Sequence, residues 1–127
     1  MKNPCPCGLA ADFEHCCDPY LSGAPAPDAE SLMRSRYSAY VLGDEPYLLA
    51  SWHPDTRPET LDLKAEEPAK WLGLSVKRHE QFDDSHATVE FVARYKIGGR
   101  AHRLHEVSRF ERLDGRWYYR DGDLLAK

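Results

Sequence analysis

Beyond residue 17 the chain has no cysteine. A disulfide framework running through the body of the protein is therefore excluded, and that body must be held by packing. Long apolar runs are also missing; none approaches the roughly 20 residues that span a bilayer. No apolar h-region follows the N-terminus. The segment does not read as a signal peptide, and a cytoplasmic location is the default expectation. Positive charge is not in excess either. The 17 Lys and Arg stand against 21 Asp and Glu, a formal net charge of −4. Broad electrostatic attraction to nucleic acid or anionic lipid is not expected, and neither is membrane attachment.

What is present suits one compact domain with a small appendage. The 127 residues are 42% apolar and 30% charged, a balance that allows a core and excludes wholesale disorder. Residues 94–112 hold a local run of Arg and Lys with Tyr95 and Phe110. On an acidic chain this reads as a solvated sheet face balanced by Glu90, Glu106 and Glu111.

All four cysteines lie at the N-terminus: Cys5, Cys7, Cys16 and Cys17. In a reducing compartment such clustered thiols are metal ligands before they are disulfides. Zn²⁺ takes four ligands in a tetrahedron and favours thiolates, although four thiolates bind iron as well. Pro6 restricts the chain between the first pair, and Gly8 lets it turn away. Residues 9–14 can return the chain through a short helical turn, with Phe13 covering the ion. Pro19 is expected to stop any helix. His15 competes as a ligand: Cys5, Cys7, His15 and one of Cys16 or Cys17 also make a complete set. Either way the site is closed, which suits a structural ion.

The pattern Cys5-x-Cys7, eight residues, then Cys16-Cys17 resembles the SEC-C motif, a zinc knuckle found in small bacterial proteins and at the C-terminus of the translocation ATPase SecA. The resemblance implies that the four cysteines are the ligands and His15 a neighbour. SEC-C knuckles usually carry lysines between the ligand pairs. This one carries Asp12 and Glu14, with Asp18 beyond. The acidic chaperone that meets SecA's basic knuckle is therefore not implied here.

Residues 18–27 contain Pro19, Gly23, Pro25 and Pro27 and read as a linker. Asp28 then caps a helix with Leu32, Met33, Tyr37, Tyr40 and Val41 at helical spacing, ended by Gly43. Asp44 and Pro46 start a shorter helix through Trp52, broken at His53-Pro54. Leu61 and Leu63 suggest a short strand, and Pro68 a helical turn through Lys70, Trp71 and Leu72. From Leu74 the apolar period becomes two. Val89, Phe91, Ala93 and Tyr95 share one face of a strand. Leu104, Glu106, Ser108 and Phe110 share one face of the next. Gly98-Gly99 and Asp114-Gly115 are hairpin signals. A last strand is expected over 117–121, with Gly122 ending it and a loose tail beyond.

Helices followed by a meander of strands is an α+β pattern, similar to the NTF2-like cone in which opening helices pack on a curved antiparallel sheet. The phrases Leu32-Met33-Arg34-Ser35-Arg36-Tyr37-Ser38-Ala39-Tyr40, Trp52-His53-Pro54, Trp71-Leu72-Gly73-Leu74 and Trp117-Tyr118-Tyr119 resemble the YchJ-like family of small bacterial SEC-C proteins. With the knuckle included, the resemblance spans nearly the whole chain. It implies an NTF2-like body behind a zinc knuckle, and with the composition of the linker this divides the chain into a knuckle over residues 1–22, a Pro-rich linker over 23–27 and an NTF2-like domain over 28–127. It implies no established activity.

Two functional readings follow. The first is a non-enzymatic adaptor with structural zinc, whose partner is another protein. The second is a small-molecule or acid/base site in the pocket between sheet and helices. Its candidates are Glu106, which shares a face with Leu104 and Phe110, and His53, Asp55, Arg57, His105 and Arg109. An inward carboxylate needs a partner, and Arg34 or Arg36 of the first long helix could supply it. The plainer reading of that pair is an ion pair joining helix to sheet. His53 reads as an anchor of its loop, and His102 and His105 face opposite ways. An adaptor needs an accessible patch on the knuckle; a pocket protein needs Glu106 inside and unpaired.

Overall fold

The fold, taken from a computed structural model, is described for residues 5–7, 13–59 and 70–125. Gly8, the expected strand around Leu61 and Leu63 and the helical start at Pro68 lie outside these residues. A 3₁₀ turn spans Phe13–His15, and a one-turn helix α1 spans Asp18–Leu21. Helices α2 (Ala29–Leu42) and α3 (Glu45–Ala50) follow. Strands β1 (Lys70–Gln81), β2 (His86–Ile97), β3 (Arg100–Leu113) and β4 (Arg116–Leu124) form an antiparallel meander in the order β1-β2-β3-β4. No helix among the described residues is long and apolar enough to cross a membrane.

The long helix begins and ends where its sequence dictates. Asp28 is extended and its carboxylate accepts from the Ser31 backbone N–H at 2.8 Å. Gly43 closes the helix at φ 74°, a left-handed conformation open to glycine. The Asp44 carboxylate caps α3 in the same way, accepting from Tyr47 N at 3.1 Å. The hairpin turns have positive φ at both central residues: Gly98 and Gly99, then Asp114 and Gly115. Their twist matches that of the flanking strands.

Three expectations are corrected. Trp71 and Leu72 lie in β1, where Trp71 pairs with Tyr95 across β2. Pro68 and Gly73 looked like the ends of a helical turn, but the aromatic contacts of Trp71 with Tyr37, Tyr40 and Tyr95 favour the sheet. Residues 18–21 are helical, and Pro19 sits in the first turn of α1 instead of stopping a helix. A first-turn proline loses no intrahelical hydrogen bond. Gly122 does not end β4; pairing continues through Ser108↔Gly122 to Glu106↔Leu124.

Helix α2 lies at the centre. It contacts β1, β2 and β4 on one side and α1 and α3 on others. Leu32, Met33 and Tyr37 pack with Val89, Phe91, Phe110 and Trp117 of the sheet. Cys5, Cys7 and Cys17 belong to the same buried cluster, with Phe13, Cys16 and Tyr20 packed against it. The knuckle thus shares the core of the body.

Candidate functional site

The structure brings Cys5, Cys7, Cys16 and Cys17 together. Their four Sγ atoms all lie within 4.8 Å of one another, with Cys7 and Cys16 at 3.5 Å and Cys16 and Cys17 at 4.0 Å. These separations are too long for a disulfide, whose sulfurs sit about 2.05 Å apart. They bracket the roughly 3.8 Å edge of a tetrahedron of sulfurs each about 2.3 Å from a metal. The donor set therefore fits a tetrahedral ion. The side chain of His15, the alternative ligand, lies outside the described residues.

The electrostatics point the same way. Burial and the neighbouring Cys7 and Cys5 thiols push the Cys16 thiol up to about 12. Cys17 is pushed up further, first by its contact with Cys7 and then by burial. Crowded thiols resist ionising together unless a cation compensates them, and a bound metal supplies that charge.

Helix α2 supports the cluster from beneath. Ser38, fully buried, places its Oγ 3.6 Å from Cys5 Sγ. Arg34 donates to the backbone oxygen of Cys7 at 2.9 Å and pairs with Glu30 at 3.0 Å. Arg34 is thereby committed to the knuckle and is not on the cavity wall.

The other side of α2 faces a cavity of about 240 Å³ between helix and sheet. Aromatic rings of Tyr40, Trp71, Phe91 and Phe110 make much of its wall, and Glu106, Ser108, Arg36 and Tyr119 supply polar groups. The alternation of β3 places Glu106 here, as its sequence face suggested. Its Oε2 accepts from Ser108 Oγ at 2.5 Å and, more weakly, from Tyr119 Oη at 3.4 Å. Gly122 backs it: a Cβ there would come 2.7 Å from Glu106 Cδ. Burial, then the nearby Glu106 charge, raise the Tyr119 phenol above its ordinary value.

Arg36 is the second charge at the cavity, and it is only 5% exposed. Its Nη1 donates to Leu48 O at 2.7 Å and Ser51 Oγ at 2.6 Å. The guanidinium lies 5.0 Å from the Trp52 ring and 4.7 Å from the Tyr119 ring, a cation–π arrangement on both. Burial lowers its pKa, but a guanidinium stays charged at neutral pH. No ion pair joins Arg36 to a carboxylate of the described residues, Glu106 included. The expected helix-to-sheet ion pair is therefore not formed. Trp52, also on the wall, has a buried Nε1 with no hydrogen-bond partner among the described residues.

The remaining candidates lie elsewhere. His53 is buried off the cavity wall: its Nδ1 accepts from Asp55 N at 3.0 Å and its Nε2 lies 3.4 Å from Glu111. It anchors its loop, as its position before Pro54 suggested. Arg57 donates to Trp52 O at 2.8 Å. His105 pairs with Glu90 at 2.8 Å, and Arg109 with Asp121 and Asp123. Sequence reasoning missed Tyr119 and Trp52 as the rings that Arg36 packs against. It also missed the role of Gly122, which reads as the end of the last strand, whereas β4 runs on through it to Leu124.

Comparison with known proteins agrees with this architecture. The family model described as YchJ, middle NTF2-like domain, matches residues 28–122. The UPF0225 protein RSc0270 of Ralstonia nicotianae is 60% identical, covering 94% of this chain and 90% of its own length. A UPF0225 protein of Bordetella pertussis is 56% identical, covering 97% and 98%. Among solved structures, RPA3114, a SEC-C motif containing protein from Rhodopseudomonas palustris, superposes with TM-score 0.87 at 35% identity, over 98% of this chain and all of its own. A SEC-C motif containing protein from Psychrobacter arcticus gives TM-score 0.79 at 30% identity, over 98% and 84%. With an NTF2-like sheet and helices behind an N-terminal SEC-C cysteine cluster, the chain belongs to the YchJ family of UPF0225 proteins.

Proposed function

We propose that this protein binds a small molecule in the cavity beneath α2, and that its knuckle carries a structural zinc ion. The observation that carries the reading is the Glu106 carboxylate, set without an ion pair among the described residues in a cavity otherwise walled largely by aromatic rings. Apolar walls with a few convergent polar groups are the usual chemistry of a ligand site. For the ion, four thiolates complete the coordination sphere of zinc and leave no open position for chemistry. Iron fits the same donors.

The test is a titration of the metal-loaded protein with a panel of single-ring compounds, followed by amide chemical shifts. Saturable shifts confined to α2 and the inner faces of β2 and β3, abolished by filling the cavity in Ala93→Met, are expected. Shifts that scatter over the surface, or that survive in the filled variant, contradict the reading.

A second reading keeps the protein-partner expectation. Leu42, 56% exposed at the end of α2, and Phe82, 62% exposed beyond β1, are apolar groups open to a partner. Loss of partner capture on Leu42→Ser or Phe82→Ser, with cavity binding unaffected, supports that role.

A further inference from the structure

Arg36 is a buried cation held in place before any ligand arrives. Its burial cost is already met by folding, through Nη1 and the adjoining Trp52 and Tyr119 rings. Only Nη1 hydrogen-bonds among the described residues, so Nε and Nη2 have no partner there. No carboxylate of the described residues pairs directly with this guanidinium, although the Glu106 charge acts on it across the cavity, and an anion that reaches the free N–H groups gains charge-assisted hydrogen bonds. On the same cavity wall, Glu106 presents a carboxylate whose Oε1 has no hydrogen-bond partner among the described residues. A ligand that satisfies both ends must carry an anionic group and a hydrogen-bond donor.

The walls set the rest. Trp71, Tyr40 and Phe91 favour a flat, unsaturated body that stacks or meets edge-on. A dry cavity of about 150 Å³ admits benzene, so one of about 240 Å³ takes a single substituted ring, on the order of ten non-hydrogen atoms.

We infer that the cavity takes a small aromatic acid bearing a hydroxyl or amino group, its carboxylate on Arg36 and its donor on Glu106. This rests on the cavity being the ligand site, and names the class of molecule that fills it. A ring with a carboxylate alone engages one end. A ring with an ammonium alone engages Glu106 and meets Arg36 with like charge.

The experiment compares four probes on the wild-type protein by calorimetry and amide shifts: 4-hydroxybenzoate, benzoate, benzamide and benzylamine. Benzamide matches benzoate in shape without the charge, so the comparison needs no variant. Benzoate is expected to bind about tenfold tighter than benzamide, and 4-hydroxybenzoate tighter again, as charge-assisted contacts require. Glu106→Gln should reduce the advantage of 4-hydroxybenzoate over benzoate, and Arg36→Lys should weaken both acids while sparing benzamide. Equal binding of benzoate and benzamide, or tighter binding of benzylamine, overturns the assignment of an acid but leaves the cavity as a ligand site. Binding of none of the four, with the variants folded, overturns both.

Discussion

The Sγ of Cys5 lies 3.6 Å from the Oγ of Ser38, a residue in the middle of α2 and 33 positions away in sequence. The contact joins the cysteine cluster to the helix whose other side lines the cavity. The same hydroxyl favours the thiolate of Cys17. A hydroxyl that donates to ligand sulfurs orients them and stabilises their charge. Ser38→Ala is expected to weaken metal affinity about tenfold, measured by competition with a chelator, with the cavity unaffected. Unchanged affinity would show that Ser38 only fills space.

The raised thiols give the metal-free protein a pH dependence. Cys16, pushed up to about 12, holds its proton in the folded state at pH values where the unfolded chain has lost its own near the ordinary thiol value. Its contribution to stability is complete below that ordinary value and fades as pH rises through the folded value. The Tm of chelator-treated protein should therefore fall between about pH 9 and pH 12 more than that of the metal-loaded form. Metal binding must also expel the thiol protons, so affinity should rise with pH. Parallel Tm curves with and without metal contradict this.

Gly122 tests the support of Glu106. A methyl there would meet the Glu106 carboxylate and force it to move, whereas at Gly73 nothing lies within 4 Å of the added carbon. Gly122→Ala should cost about 1–3 kcal/mol in denaturant unfolding and shift the amides around the cavity. Gly73→Ala should do neither.

Asp28→Ala removes the carboxylate that accepts from Ser31 N and should destabilise the protein by about 1 kcal/mol. Metal content should not change.

Much of this was legible from local chemistry. Asp28 and Gly43 bound α2 because capping is decided within a few residues. The alternation of β3 put Glu106 and Phe110 on the inner face, because side chains alternate along a strand whatever it pairs with. The two-plus-two cysteine spacing located the cysteine cluster. What was not legible depends on contacts distant in sequence. Arg34 and Arg36 are two positions apart and looked equivalent, yet one reaches Cys7 and the other packs against Trp52 and Tyr119. Trp71 reads as helical beside Pro68 and Gly73 until Tyr95 is placed opposite it. The proline-rich stretch reads as a free tether, yet its Ala26 is buried in the core cluster and its Gly23 carbonyl accepts from Arg116 at 2.9 Å.

The central claim is that a metal-bound cysteine cluster and the NTF2-like body are one folding unit built around α2. Metal content and thermal unfolding, measured together on protein purified without added metal, test it most directly in wild type and Cys16→Ser. The account predicts one zinc per wild-type chain, its loss in the variant, and a single unfolding transition that moves to lower temperature throughout the body. Metal-free wild-type protein with reactive thiols, or a variant that loses its metal with the unfolding of the body unchanged, would contradict it.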